Sequence, residues 1–209
     1  MISGMTVYRK ALIIVLLVCV ALSFYWIKCQ SEIDIFKSFR WEHYLPLQIF
    51  QRSTPIIPAS RTGVLLDESF EDGSLSRWYK PWSLSGQANA SIAHGATSDP
   101  KFLSIQLKTK DKWAFQNASI IEVEPGQALS YLCSVKTEGG ATVRADIILY
   151  NIDRHVVDWH FASESTASWQ DWTQLRRSFT IPAGAKYIRF RIAGTGPGKI
   201  FMDNVKVER

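Results

Sequence analysis

The sequence predicts an all-β fold for residues 64–209, a two-sheet antiparallel sandwich of jelly-roll type, preceded by a single transmembrane helix and an aromatic, proline-bearing strap. Four observations carry this. Apolar side chains recur at every second position from residue 64 onward, turn signals separate those segments, and no amphipathic helical period lies between them. A 17-residue run without a charge lies near the N-terminus.

Residues 1–10 form a short tail ending in Arg9-Lys10, followed by the uncharged run at 11–27 and then Lys28. As a helix that run is about 26 Å long at ~1.5 Å per residue, enough for a thin hydrocarbon core. Tyr25 and Trp26 stand where interfacial aromatics belong. A transmembrane helix over 11–28 is expected. The competing reading is a cleaved signal peptide, for which Ala21-Leu22-Ser23 offers a small-x-small site. Counting Lys and Arg on either side does not fix the orientation. The short tail and the β-rich remainder place the N-terminus in the cytoplasm and the domain outside the cell membrane, periplasmic in a Gram-negative cell.

The strap, residues 29–63, carries Phe36, Phe39, Trp41, Tyr44 and Phe50, then Pro46, Pro55 and Pro58. Ser31 ahead of Glu32 and Asp34 is a helix N-cap signal, Pro46 stops that helix, and the prolines beyond it favour an extended path. Aromatics at this density are costly to leave in water. They are expected to contact the membrane interface or another protein.

Beyond the strap the alternation is plain. Leu103, Ile105 and Leu107 share one face; Val143, Ala145, Ile147 and Leu149 share another; Ile188, Phe190 and Ile192 oppose Tyr187, Arg189 and Arg191. Further strands are expected near 65–70, 88–93, 113–123, 129–137, 156–161, 172–181 and 199–207. Glu71-Asp72-Gly73, Glu124-Pro125-Gly126, Glu138-Gly139-Gly140, Pro182-Ala183-Gly184 and Gly194-Thr195-Gly196-Pro197-Gly198 mark turns between them.

The formal net charge of +5 is concentrated in the first part: residues 1–63 hold seven Lys and Arg against three Asp and Glu, whereas residues 64–209 hold seventeen against sixteen. A nearly neutral sandwich is not expected to bind nucleic acid. Of the three cysteines, Cys19 lies in the apolar run and Cys29 at its edge, leaving Cys133 alone in the domain as a buried small hydrophobe, with no disulfide framework or zinc spacing.

The opening Leu65-Leu66-Asp67-Glu68-Ser69-Phe70-Glu71-Asp72-Gly73 with Trp78, the Trp172 strand running into Phe179-Thr180-Ile181-Pro182-Ala183-Gly184-Ala185, and the closing segment from Gly196-Pro197-Gly198 to Met202-Asp203-Asn204-Val205 resemble the carbohydrate-binding modules of families 4, 9 and 22. The resemblance covers residues 64–209 and implies a galactose-binding-like β-sandwich. It implies a structural calcium held by Glu71 and Asp203, the alternative for Asp203 being an arginine partner or a turn cap. For a glycan site it points to Trp113 as the stacking aromatic and to Tyr150, Arg144, Arg189 and Arg191 on the outward parity of the groove strands. Trp159, Trp169 and Trp172 are further available aromatics.

No catalytic motif is present. Asp153, His155, Asp158 and His160 cluster in sequence, but His155 and His160 fall on opposite faces of a regular strand, which leaves them as solvated loop residues. No cofactor beyond calcium is implied. Two non-enzymatic functions follow: an accessory subunit docking to other membrane-protein subunits through strap and sandwich, which is the reading preferred from sequence, and a membrane-tethered binder of a polysaccharide.

Overall fold

The computed structural model describes residues 54–58, 63–95, 100–166, 168 and 170–209. The expected tail, transmembrane helix and the strap aromatics Phe36, Phe39, Trp41, Tyr44 and Phe50 lie outside the described residues, as does Trp169. The chain divides into two compact units, Met1–Ile49 and Phe50–Arg209, and all described residues fall in the second.

Every regular element among the described residues is a strand. In chain order these are β1 (Ile56–Ile57), β2 (Val64–Glu68), β3 (Trp82–Ser83), β4 (Ala88–His94), β5 (Lys101–Leu107), β6 (Lys112–Gln116), β7 (Ile120–Glu122), β8 (Ala128–Gly139), β9 (Thr142–Tyr150), β10 (Val156–Thr166), β11 (Thr173–Thr180), β12 (Tyr187–Thr195) and β13 (Gly198–Glu208).

They form two sheets. In the first, β12 runs beside β9 along its whole length, and β10 extends the sheet past β9. On the other side of β12, β7 and β6 lie end to end, flanked by β1 and β3. The second sheet repeats this plan around β13, with β8 and then β11 on one side, β2 and β5 end to end on the other, and β4 outside β5. All ladders are antiparallel except β1 with β7, where Ile56 pairs with Ile120 and Ile57 with Ile121. The strap's last residues therefore add a strand to the first sheet.

The alternation read from sequence builds the core between the sheets. Val143, Ala145, Ile147, Leu149, Ile188, Phe190 and Ile192 face inward from the first sheet, opposite Leu103, Ile105, Tyr131, Cys133, Val135, Ile200 and Met202 from the second. Burial pushes the Cys133 thiol up to about 12, so it behaves as an apolar side chain. The opening motif plugs one end. Trp78 stacks on Phe115 at 5.0 Å and touches Phe70 and Phe190, while buried Glu68 accepts from the Phe70 N–H and the Trp78 indole. Gly198 has no substitute. A Cβ there would lie 2.1 Å from the Glu138 carbonyl oxygen, so only glycine lets β13 enter beside β8.

Candidate functional site: the outer face of the β9–β12 sheet

With Val143, Ala145, Ile147 and Leu149 inside, Arg144, Asp146, Ile148 and Tyr150 point outward from β9, and Tyr187, Arg189 and Arg191 do the same from β12. Register then pairs them across the ladder: Arg191 opposite Asp146, Arg189 opposite Ile148, Tyr187 opposite Tyr150. Arg191 donates to both Asp146 oxygens, at 2.8 and 2.7 Å, and Arg144 Nε donates to Oδ2 at 3.0 Å. Asp146 is fully buried. Burial alone would raise its pKa, but the charge and hydrogen bonds of Arg191, the His160 hydrogen bond and the charge of Arg144 outweigh that and hold it below the usual carboxylate value.

The third side of this cluster comes from β10. Asp158 is level with Leu149 and Phe161 with Ile147, so two residues of β10 stand against one of β9. Such a bulge breaks the strict alternation. Two adjacent residues, Trp159 and His160, therefore share the outer face; His160 Nδ1 lies 2.7 and 2.9 Å from guanidinium nitrogens of Arg191 and Arg144 and 3.2 Å from Asp146 Oδ2. Its neighbour Trp159 also lies there, with the Arg191 guanidinium 5.7 Å from its ring and its carbonyl accepting from Arg191 Nη2. Phe161 turns inward against Phe179.

Arg189 is held differently. Its guanidinium lies between the rings of Tyr79, at 5.1 Å, and Tyr150, at 5.5 Å, and donates to the carbonyl oxygens of Ala118 and Ser119. Its Nη1 is buried without a hydrogen-bond partner. Ile120, Ile148 and Tyr150 form a small apolar cluster on this outer face, joined by Val156, Trp159 and Tyr187. Three arginines against one buried aspartate leave the face basic.

These placements correct the site expected from sequence. Trp113 is 1% exposed and belongs to the core, because β6 alternates with Trp113 and Phe115 inward, so it cannot stack on a sugar. Tyr150, Arg189 and Arg191 do occupy the outward parity, yet they are 1%, 1% and 4% exposed, covered by Tyr79, Trp159 and one another. Arg144, with its side chain 35% exposed, is the one of the five candidates that solvent reaches. Tyr79, Trp159, His160 and Tyr187, each half-buried, form the accessible rim, and Asp146 organises what lies beneath. The signal for Asp146 was present as a lone acid on the outward parity of a strand otherwise bearing arginine and apolar residues. Trp159, three residues after outward-facing Val156, needed the bulge.

Glu71 and Asp203 are near enough to influence one another. The Asp203 pKa is raised, first by burial and further by the Glu71 charge, against the opposing Asn204 N–H. Several of their oxygens accept hydrogen bonds. Glu71 accepts from the Lys101 N–H at Oε1 (3.1 Å) and from Lys101 Nζ at its carbonyl oxygen (2.9 Å), while Asp203 accepts from Asn204 N and Nδ2. Calcium takes six to eight oxygens. Among the described residues no three His, Cys, Asp or Glu side chains are gathered for a metal, and the Lys101 ammonium stands against the Glu71 carbonyl oxygen.

No family model matches the chain, and no curated protein matches its sequence. Solved structures do match in shape. The family 22 xylan-binding domain of Paenibacillus barcinonensis Xyn10C superposes with a TM-score of 0.51 at 15% identity over 72% of this chain and 97% of that one. The C-terminal family 22 carbohydrate-binding module of Clostridium thermocellum Xyn10B gives 0.50 at 12% identity over 72% and 95%. The enzymatically active domain of bacteriophage CBA120 tailspike protein 4 gives 0.56 at 14% identity over 67% of this chain, which spans only 20% of that protein. At these identities the likeness is one of fold: the chain carries a β-sandwich like those of carbohydrate-binding modules.

Proposed function

We propose that the chain is a non-catalytic, membrane-tethered polysaccharide-binding protein whose sandwich lies outside the membrane and receives a sugar chain along the outer face of β9, β10 and β12. One observation carries this: Trp159, half-buried with part of its ring open to solvent, is held in place over buried Arg191 on that face. A fixed aromatic face stacks on the C–H face of a pyranose, and the neighbouring Arg144 and His160 supply polar partners for its hydroxyls. The likeness to xylan-binding modules supports the reading. The floor is filled by Arg189 and Tyr150, so the sugar lies shallow, across the rim of Tyr79, Trp159 and Tyr187.

The test is retention of the unit from Phe50 to Arg209, which contains its own core, on immobilised xylan and other β-1,4-linked polysaccharides. Trp159→Ala is expected to weaken binding about tenfold, equivalent to ~1.4 kcal/mol, while Trp159→Phe retains most of it. Failure of the parent to bind any polysaccharide, together with co-migration of the full chain with membrane proteins in mild detergent, would favour the accessory-subunit reading.

A further inference from the structure

We propose that the opposite face of the sandwich, the outer side of the β11-β8-β13-β5-β4 sheet, carries a second and flat sugar platform centred on Trp172. The inference is independent of the first face, because no residue is shared. Among the described residues Trp172 is the only aromatic side chain in the exposed class, at 44%. It is nonetheless fixed. Its ring meets Phe102 at 5.6 Å and 77°, and Phe102 meets Phe201 at 5.5 Å and 89°, so two edge-to-face contacts brace the indole.

The supporting residues follow from register. Thr173 pairs with Val135, which puts Trp172 level with Lys136, and Lys136 pairs with Phe201, which in turn pairs with Ser104. Tryptophan, lysine, phenylalanine and serine thus form a row across four adjacent strands on one face. Lys136 Nζ lies 3.8 Å from Asp171 and 3.7 Å from Glu138, so an ammonium and two carboxylates border the ring.

That combination selects a sugar over other occupants. A protein interface needs a broad apolar centre, whereas here the apolar surface is one exposed indole braced by two partly buried phenylalanines and bordered by charges. A pyranose presents the complementary pattern: polarised C–H groups on one face for the ring, and equatorial hydroxyls at its edge that accept from an ammonium and donate to a carboxylate. One ammonium against two carboxylates leaves no surplus of positive charge at this point, which fits a neutral sugar rather than an acidic one. The flatness of a sheet surface fits a polymer laid on it, in particular an insoluble one.

The experiment uses the full chain in mild detergent, with adsorption isotherms on insoluble xylan, microcrystalline cellulose and insoluble β-1,4-mannan. Parent, Trp172→Ala, Trp172→Phe and Trp159→Ala are compared, with melting temperature as the folding control. The expected result is adsorption of the parent to at least one polymer, a loss of about tenfold in Trp172→Ala, near-parental adsorption in Trp172→Phe, and persistence of this Trp172-dependent part in Trp159→Ala. Adsorption of Trp172→Ala equal to the parent on all three polymers, or no adsorption of the parent to any of them, would overturn the proposal. Loss in Trp159→Ala alone would leave the first face standing and remove the second.

Discussion

The two outer faces of the sandwich use the same residue types in opposite ways. On the β9–β12 face, aromatic rings and charges pack on one another: Arg189 between two tyrosines, Arg191 under Trp159 and against Asp146, with only the rim reaching water. On the β8–β13 face the rings brace one another edge to face, the charges pair beside them, and the outermost indole is left open. Both faces are aromatic and charged in sequence. The difference is a covering strand: the bulged β10 lays Trp159 and His160 over the first face, and nothing equivalent among the described residues lies over Trp172. A buried ion pair is expensive to break and an exposed one cheap, so the faces should respond very differently to substitution.

The largest effect is expected at Asp146. Asp146→Asn removes the charge that two arginines surround and should destabilise the domain by about 3 to 5 kcal/mol, read from urea unfolding. A loss below about 1 kcal/mol would show that the cluster is solvated and the contrast between faces is false. The pH dependence has a definite sign. Because the native-state pKa of Asp146 is lowered from 3.8, its contribution is present above that value and disappears as pH falls through the lower native value. The parent should therefore lose stability in acid more steeply than the Asp146→Asn variant.

A smaller pair of effects sharpens the comparison. Trp159→Ala uncovers Arg191 and should cost about 1 to 2 kcal/mol, less than a fully buried tryptophan. Trp172→Ala should cost less than about 1 kcal/mol, since nearly half of the side chain already meets water. Equal losses in thermal or urea unfolding would mean that the indole on the second face is structural.

The smallest effect concerns Asp203. Its raised native pKa means that the ionised form is disfavoured by folding, so this group favours the native state most at low pH and loses that as pH rises through the native value. Asp203→Asn should leave the melting temperature at pH 7 unchanged or slightly higher, with the gain vanishing in acid. Chelator should leave the parent's melting temperature where it was, because Lys101 already faces the Glu71 carbonyl. A drop with chelator would restore the metal.

The parity of β5, β9 and β12 was legible in the sequence because an inward apolar residue at every second position leaves no choice of face. The same rule also contained the answer for Trp113. It shares parity with Phe115, and reading it as a platform set a family position above the local alternation. What alternation could not provide was the bulge in β10, since one inserted residue is invisible until the partner strand is known. Nor could it provide β1, where two isoleucines between Pro55 and Pro58 are too few to show a period and their partner β7 is more than sixty residues away.

That short strand has a mechanical consequence. A pull applied to the sandwich from its N-terminal side reaches β1 first, held to β7 by a two-residue ladder and by the Ile120 N–H donating to the Pro55 carbonyl. Next in line is β2, whose register on β13 covers Val205 to Glu208 and is extended by the Arg209 N–H donating to Gly63. The two form a graded fuse. Peeling β1 lets the chain ahead of β2 extend, at no more than about 3.3–3.6 Å per residue, before load reaches β2. Tension is thereby absorbed as slack rather than as unfolding.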